Sequence, residues 1–117
     1  MRKEWYAIYT SPRCEKRVYA ELLKRGFDCY LPLQTRVSQW SDRKKTLEYP
    51  IIESYVFVKT FSTDLLNILS IHGVAMFISD RRKNPLALSE NFIEKLRVLA
   101  KSGVSSLNFS IPFVDNH

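Results

Sequence analysis

Two cysteines, three glycines and two histidines are all that the 117 residues hold of these types, and each scarcity removes a class of protein. Cys14 and Cys29 cannot build a disulfide framework and show no metal-ligand spacing; both are expected as reduced, packed thiols. His72 and His117 have no catalytic or ligating partner at a telling spacing. The few glycines form no phosphate-cradling loop, and no paired-carboxylate, Cys/His or Ser/His arrangement stands beside them. An enzyme is therefore disfavoured and no cofactor or metal is expected. No apolar run approaches the ~20 residues of a membrane span. The opening Met1-Arg2-Lys3-Glu4-Trp5 leads into a strand-like segment without a signal-peptide core. A soluble, cytoplasmic, monomeric protein is the expectation.

What the chain does contain supports one folded domain. The hydrophobic fraction is 45% and 15 residues are aromatic, well above what a disordered chain carries. A domain over 1–103 is expected, with 104–117 as a tail or the start of a linker. The net charge of +6 is uneven: residues 1–45 hold 11 Lys/Arg against 5 Asp/Glu, and residues 46–117 hold 7 of each. An excess confined to one part of the chain points to a basic face that meets a polyanion, although a merely solvated basic surface gives the same count.

The stretch Pro50-Ile51-Ile52-Glu53-Ser54-Tyr55-Val56-Phe57-Val58-Lys59 reads as a central strand, rich in β-branched and aromatic residues. Alternation places Tyr55, Phe57 and Lys59 on one face and Ser54, Val56 and Val58 on the other. Such a strand is either buried on both sides or exposes aromatics for a partner. Before it, Glu4–Thr10 reads as a strand with Trp5, Ala7 and Tyr9 on one face. Ser11-Pro12 then opens a helix to Arg25, with Cys14, Val18 and Leu22 as its apolar stripe. Gly26 and Phe27 close it as a Schellman cap. Residues 27–37 alternate as a further strand, made an edge or bulged by Pro32. Gln39–Lys45 is the basic tip of a hairpin.

After the central strand, Ser62 or Thr63 caps a short helix with Leu65, Leu66, Ile68 and Leu69 as its apolar residues. His72-Gly73 turns into a strand over Val74–Ser79, and Asp80–Pro85 is a second basic loop in which Asp80 forms the turn. Ser89 caps a last helix, Glu90–Lys101. The order β-α-β-β-α-β-α predicts an α+β fold, a four-stranded antiparallel sheet with flanking helices and a ferredoxin-like outline. That outline hosts many functions and names none.

Three local signatures, in order, resemble the N-terminal domain of the NusG family of transcription elongation factors. They are Trp5-Tyr6-Ala7-Ile8-Tyr9-Thr10 followed by a helix with Glu15 and Lys16; Tyr55-Val56-Phe57-Val58 before a short helix; and Gly73-Val74-Ala75-Met76-Phe77-Ile78 before a loop with Pro85 and a helix opening at Ser89. Together they span about residues 4–101. Family members usually place a Pro-Gly or Pro-Asn pair before the Tyr where this chain has Glu53-Ser54. The segment Gln39–Lys45 resembles the UpxY antiterminators of capsular polysaccharide operons in Bacteroides-like bacteria.

The resemblance implies a non-catalytic factor that grips the clamp helices of the largest RNA polymerase subunit and promotes processive transcription. Carried over by position, the docking patch falls on Tyr9, Ile52, Tyr55, Phe57 and Leu96, with Ile52 where a Phe is common. Non-template DNA would meet Arg13, Lys16 and Arg17, with Trp40, Arg43, Lys44 and Lys45 as additions that suit phosphate contact and base stacking. Val56 and Val58 would then face the helices, leaving Tyr55, Phe57 and Ile52 solvent-accessible. Asp64–Asn67 lacks the hydroxyl-rich sequence with which relatives touch the opposite side of the cleft, and a β-barrel (KOW) domain would normally follow. The alternative is an α+β module that binds single-stranded nucleic acid without polymerase.

Overall fold

Both faces of one antiparallel sheet are covered, each by different helices. The computed structural model describes the backbone of residues 2–40 and 43–102, and the side chains of these except 36–46 and 102. The expected tail, 104–117, lies outside the described residues. Strands β1 (Glu4–Thr10), β2 (Asp28–Tyr30), β5 (Tyr55–Thr60) and β6 (Val74–Phe77) are laid out β2-β5-β1-β6. A two-residue β7 (Ala87–Leu88), not anticipated, pairs with Trp5 and Tyr6 of β1. Strands β3 (Leu33–Trp40) and β4 (Arg43–Pro50) form a separate two-stranded ribbon.

Alternation along β1 and β5 distributes the core. Tyr6, Ile8, Val56 and Val58 face helix α1 (Glu15–Lys24), through Val18 and Leu22, and helix α2 (Leu65–Leu69), through Leu65 and Ile68. Trp5, Ala7 and Phe57 face the opposite way, into a cluster with Ile93 and Leu96 of helix α3 (Glu90–Ser102). Helix α3 is also tied to the sheet by polar contacts. Both the Trp5 indole N–H (3.1 Å) and the Lys59 ammonium (2.6 Å) donate to Glu90 Oε1. These donors, Lys59 foremost, hold the Glu90 carboxyl below its ordinary pKa.

Several expected boundaries shift for local reasons. Pro50 ends β4, and residues 51–54 are a turn, so the supposed central strand begins only at Tyr55. Residues 27–37 are not one strand: the chain leaves the main sheet after Tyr30 and enters the ribbon at Leu33, with Pro32, which has no N–H to donate, at the break. Ser11-Pro12 does not begin α1. Arg13 takes a left-handed φ of 63°, Cys14 N–H closes a turn on the Ser11 carbonyl, and the helix starts at Glu15. A 3-10 turn over Ser62–Asp64 precedes α2, whose Leu66 is 81% exposed rather than part of the core.

Other expectations are met. The Phe27 and Gly26 amides donate to the Leu22 and Leu23 carbonyls, the Schellman pattern. The Ser89 hydroxyl accepts from Phe92 N–H at the start of α3. Both cysteines are free and half-buried, and burial foremost pushes the Cys29 thiol up to about 11.

The turn before β5 carries strain with a specific remedy. Ser54 has φ 69°, a region costing a non-glycine residue about 1–2 kcal/mol. Its N–H donates to Glu15 Oε2 at 2.8 Å and its carbonyl accepts from Thr10 N–H at 2.8 Å, so the conformation is tied to β1 and to α1. Ser54→Gly is expected to raise stability by up to about 1 kcal/mol in urea denaturation. A loss would show that the serine side chain contributes more than its backbone strain costs.

Candidate functional site

The register of the sheet sets three side chains in a row. Tyr55 of β5 lies opposite Tyr9 of β1, and Tyr9 lies opposite Met76 of β6. Directly opposed residues project from the same face, here the face that also carries Trp5, Ala7 and Phe57. Helix α3 covers the Trp5–Ala7–Phe57 end of that face and stops short of the row. Tyr9 is 40% and Met76 52% exposed, while Tyr55 is half-buried against the α3 cluster. The two tyrosine rings meet edge-on at 5.5 Å. Burial, and secondarily Tyr9, raises the Tyr55 hydroxyl above its ordinary pKa.

Three of the five expected docking residues are not on this surface. Ile52 is 5% exposed, and Phe57 and Leu96 are fully buried. The cause is α3, whose Ile93 and Leu96 share a cluster with Phe57, and the 51–54 turn, which folds Ile51 and Ile52 into the same cluster. The expected accessible face of Tyr55, Phe57 and Ile52 is thus reduced to Tyr55 at its border. Val56 and Val58 do face the helices as expected. The sequence marks Met76 only as part of a strand; its place beside Tyr9 follows from the pairing register, which composition does not reveal.

The basic residues expected to contact nucleic acid do not form one patch. Arg13 and Lys16 are exposed beside a cleft of about 720 Å³ between the start of α1 and the end of β4. The Lys16 ammonium donates to the Glu48 carbonyl at 2.9 Å, and Glu15, Glu48 and Glu53 line the same cleft, so its charge is mixed. Arg17 is exposed on another side of α1, beside a cavity of about 500 Å³ shared with Glu21, Arg25 and His72. Trp40, Arg43, Lys44 and Lys45 occupy paired backbone positions at the end of the ribbon, Trp40 opposite Arg43, Gln39 opposite Lys44 and Ser38 opposite Lys45. Their side chains lie outside the described residues.

A sequence model of the family described as transcription termination factor NusG matches residues 3–97. The chain belongs to the NusG family. No individual curated protein matches it. Membership places this NusG-family chain among transcription elongation and antitermination factors in the general sense, and its antiparallel α+β fold is compatible with the family's N-terminal domain. Among the described residues no group of three or more His, Cys, Asp or Glu could hold a metal ion, and no helix is long and apolar enough to cross a membrane. Ser54 stands where the resemblance drawn from the sequence implies Gly or Asn. Its left-handed φ supplies the physical reason, since Gly and Asn enter that region most readily.

Proposed function

We propose that this NusG-family domain docks on the clamp helices of the largest RNA polymerase subunit through Tyr9, Tyr55 and Met76, and thereby promotes processive, antiterminated transcription. The observation that carries the reading is the uncovered row itself: two aromatic rings and a thioether on rigid, paired strands, at the margin of a covered core. Aromatic and methionine side chains bury large area with few rotatable bonds or with adaptable shape, which suits a narrow helical tip. Ile52, Phe57 and Leu96 serve from beneath, as the packed floor that holds Tyr55 in place. Non-template DNA would meet the exposed Arg13, Lys16 and Arg17 and the basic end of the ribbon with Trp40, Arg43, Lys44 and Lys45. The UpxY-like loop sequence supports action on a polysaccharide biosynthesis operon. No catalytic step is assigned.

The test is capture of core RNA polymerase by the tagged domain. Tyr9→Ala combined with Tyr55→Ala is expected to weaken capture at least tenfold, as for loss of central interface anchors, with an unchanged circular-dichroism spectrum. Met76→Glu is expected to do the same by placing a charge in the contact. Equal capture by wild type and both folded variants would remove the docking proposal. Tight, salt-steep binding of free single-stranded DNA without any polymerase capture would favour the nucleic-acid module instead.

A further inference from the structure

The basic loop over residues 80–85 lies between β6 and β7, away from the Tyr9–Tyr55–Met76 row. In the structure it is an ordered tip. Asp80 N–H donates to the Asn84 carbonyl at 2.8 Å, and Lys83 N–H donates to the Asp80 carbonyl at 3.0 Å. The Asp80 carboxylate accepts from the backbone of Arg82 at 2.8 Å and of Asn84 at 3.0 Å. Ser79 bridges to Pro85, and Leu86 N–H returns to the Ile78 carbonyl at 2.9 Å. Arg81, Arg82 and Lys83 are all exposed, and among the described residues none of the three is in an ion pair. Lys83 is held at φ 66°, where a lysine is costly.

We propose that this tip is a phosphate-contacting element for nucleic acid, separate from α1 and the ribbon. Three adjacent cations on a turn already fixed by its own backbone lose little freedom on meeting a row of phosphates, so less of the Coulomb gain is spent on ordering. Every residue from Ser79 to Pro85 is exposed, and none is aromatic or a large aliphatic. Such a tip has nothing to form the desolvated centre of a protein interface, whereas phosphate contacts need only charge and donors. The ribbon joins β2 to β5 at one edge of the sheet, and the tip leaves β6 at the other. The chain thus presents basic elements at both edges, with the Tyr55–Tyr9–Met76 row between them.

The test needs no polymerase, so it stands or falls apart from the docking proposal. Binding of the whole chain to a 30-base-pair duplex is followed by fluorescence anisotropy across salt concentrations. The triple variant Arg81→Gln, Arg82→Gln, Lys83→Gln is expected to lower the slope of log affinity against log salt by about two to three, since each phosphate contact contributes about 0.9. At a fixed 0.1 M salt it should lose at least tenfold in affinity. A triple variant at Lys24, Lys95 and Lys101, equal in charge and likewise exposed, is expected to change the slope by less than one. Asp80→Asn, which keeps the oxygen acceptor and removes the negative charge, should bind more tightly than wild type; Asp80→Ala, which also frees the turn, should bind less tightly than Asp80→Asn. Equal slope changes for the two triple variants would overturn the proposal, reducing the tip to its share of net charge. So would unchanged DNA binding by the first triple variant accompanied by loss of polymerase capture, which would assign the tip to an acidic protein surface.

Discussion

Phe57→Ala is expected to lower stability by about 3–5 kcal/mol, the range for emptying a fully buried phenylalanine site. The estimate belongs at the upper end because the site cannot collapse. Phe57 is fully buried, and its backbone is held on both sides, paired with Ala7 of β1 and with Tyr30 of β2. Its ring meets Phe92 edge-on at 6.2 Å, and Ile93 and Leu96 of α3 share its cluster. A strand pinned between two neighbours does not move inward, so the lost ring leaves a cavity. Against a typical total of 5–15 kcal/mol for a domain, such a loss brings the fold near its limit. Tyr9→Ala, removing a side chain already 40% exposed, is expected to cost less than about 1 kcal/mol. Paired urea denaturation curves check both.

The contrast bears on how a loss of polymerase capture should be interpreted. Phe57→Ala would abolish capture by unfolding or loosening α3, without Phe57 touching the partner. Phe57→Leu, which keeps most of the volume, is expected to retain both fold and capture. If the folded Phe57→Leu protein lost capture as completely as the Tyr9 and Tyr55 double variant, the ring itself would have to reach the partner, and the covered arrangement under α3 would be wrong for the bound state.

Much of the fold was legible because single residues had one good physical use. Gly26 ends α1 where a left-handed residue is needed, Ser89 caps α3, and Asp80 ties its own turn. The alternation in β1 is legible for the same reason, since every second residue must serve the same helix layer. Legibility failed where sequence pattern and backbone geometry diverge. Ile51 and Ile52 continue the apolar, β-branched run of a strand, yet they sit in a turn and are buried by its fold rather than by a ladder. Their chemistry reports burial; only the backbone reports how.

The candidate site failed in the same way. The sequence leaves β5 either buried on both sides or exposing Tyr55 and Phe57, because it does not show that a helix thirty residues downstream lies across one end of one face. That cover turns Phe57 and Ile52 from surface into floor, and it leaves Met76, unmarked in the sequence, beside Tyr9 at the open end. What a pattern of aromatics specified was therefore the face. The exposed part of it was set by the reach of α3.

Gly73→Ala is expected to cost about 2–5 kcal/mol, whereas Gly26→Ala is expected to cost about 1–2 kcal/mol. Both glycines have positive φ, 102° and 86°, so each substitution incurs the left-handed penalty of about 1–2 kcal/mol, and the difference isolates packing. A methyl group at Gly26 would meet nothing within 4 Å. At Gly73 it would lie 3.0 Å from Val18 Cγ2 and 3.2 Å from Cys14 Cβ, and Val18 is fully buried on the inner face of α1. The neighbours must give by a few tenths of an ångström, and in this packed layer the overpacking cost is about 1–3 kcal/mol. The displacement has a direction that matters for the site. Gly73's carbonyl accepts from Ser11 N–H at 2.9 Å, joining the end of β1 to the start of β6, three residues before Met76. A shift there separates Met76 from Tyr9, so Gly73→Ala should weaken polymerase capture even at temperatures where it stays folded, while Gly26→Ala should leave capture unchanged. Equal stability losses for the two variants would mean that α1 yields freely at Gly73. Unaltered capture by folded Gly73→Ala would mean that the Tyr9–Met76 register does not contribute to docking.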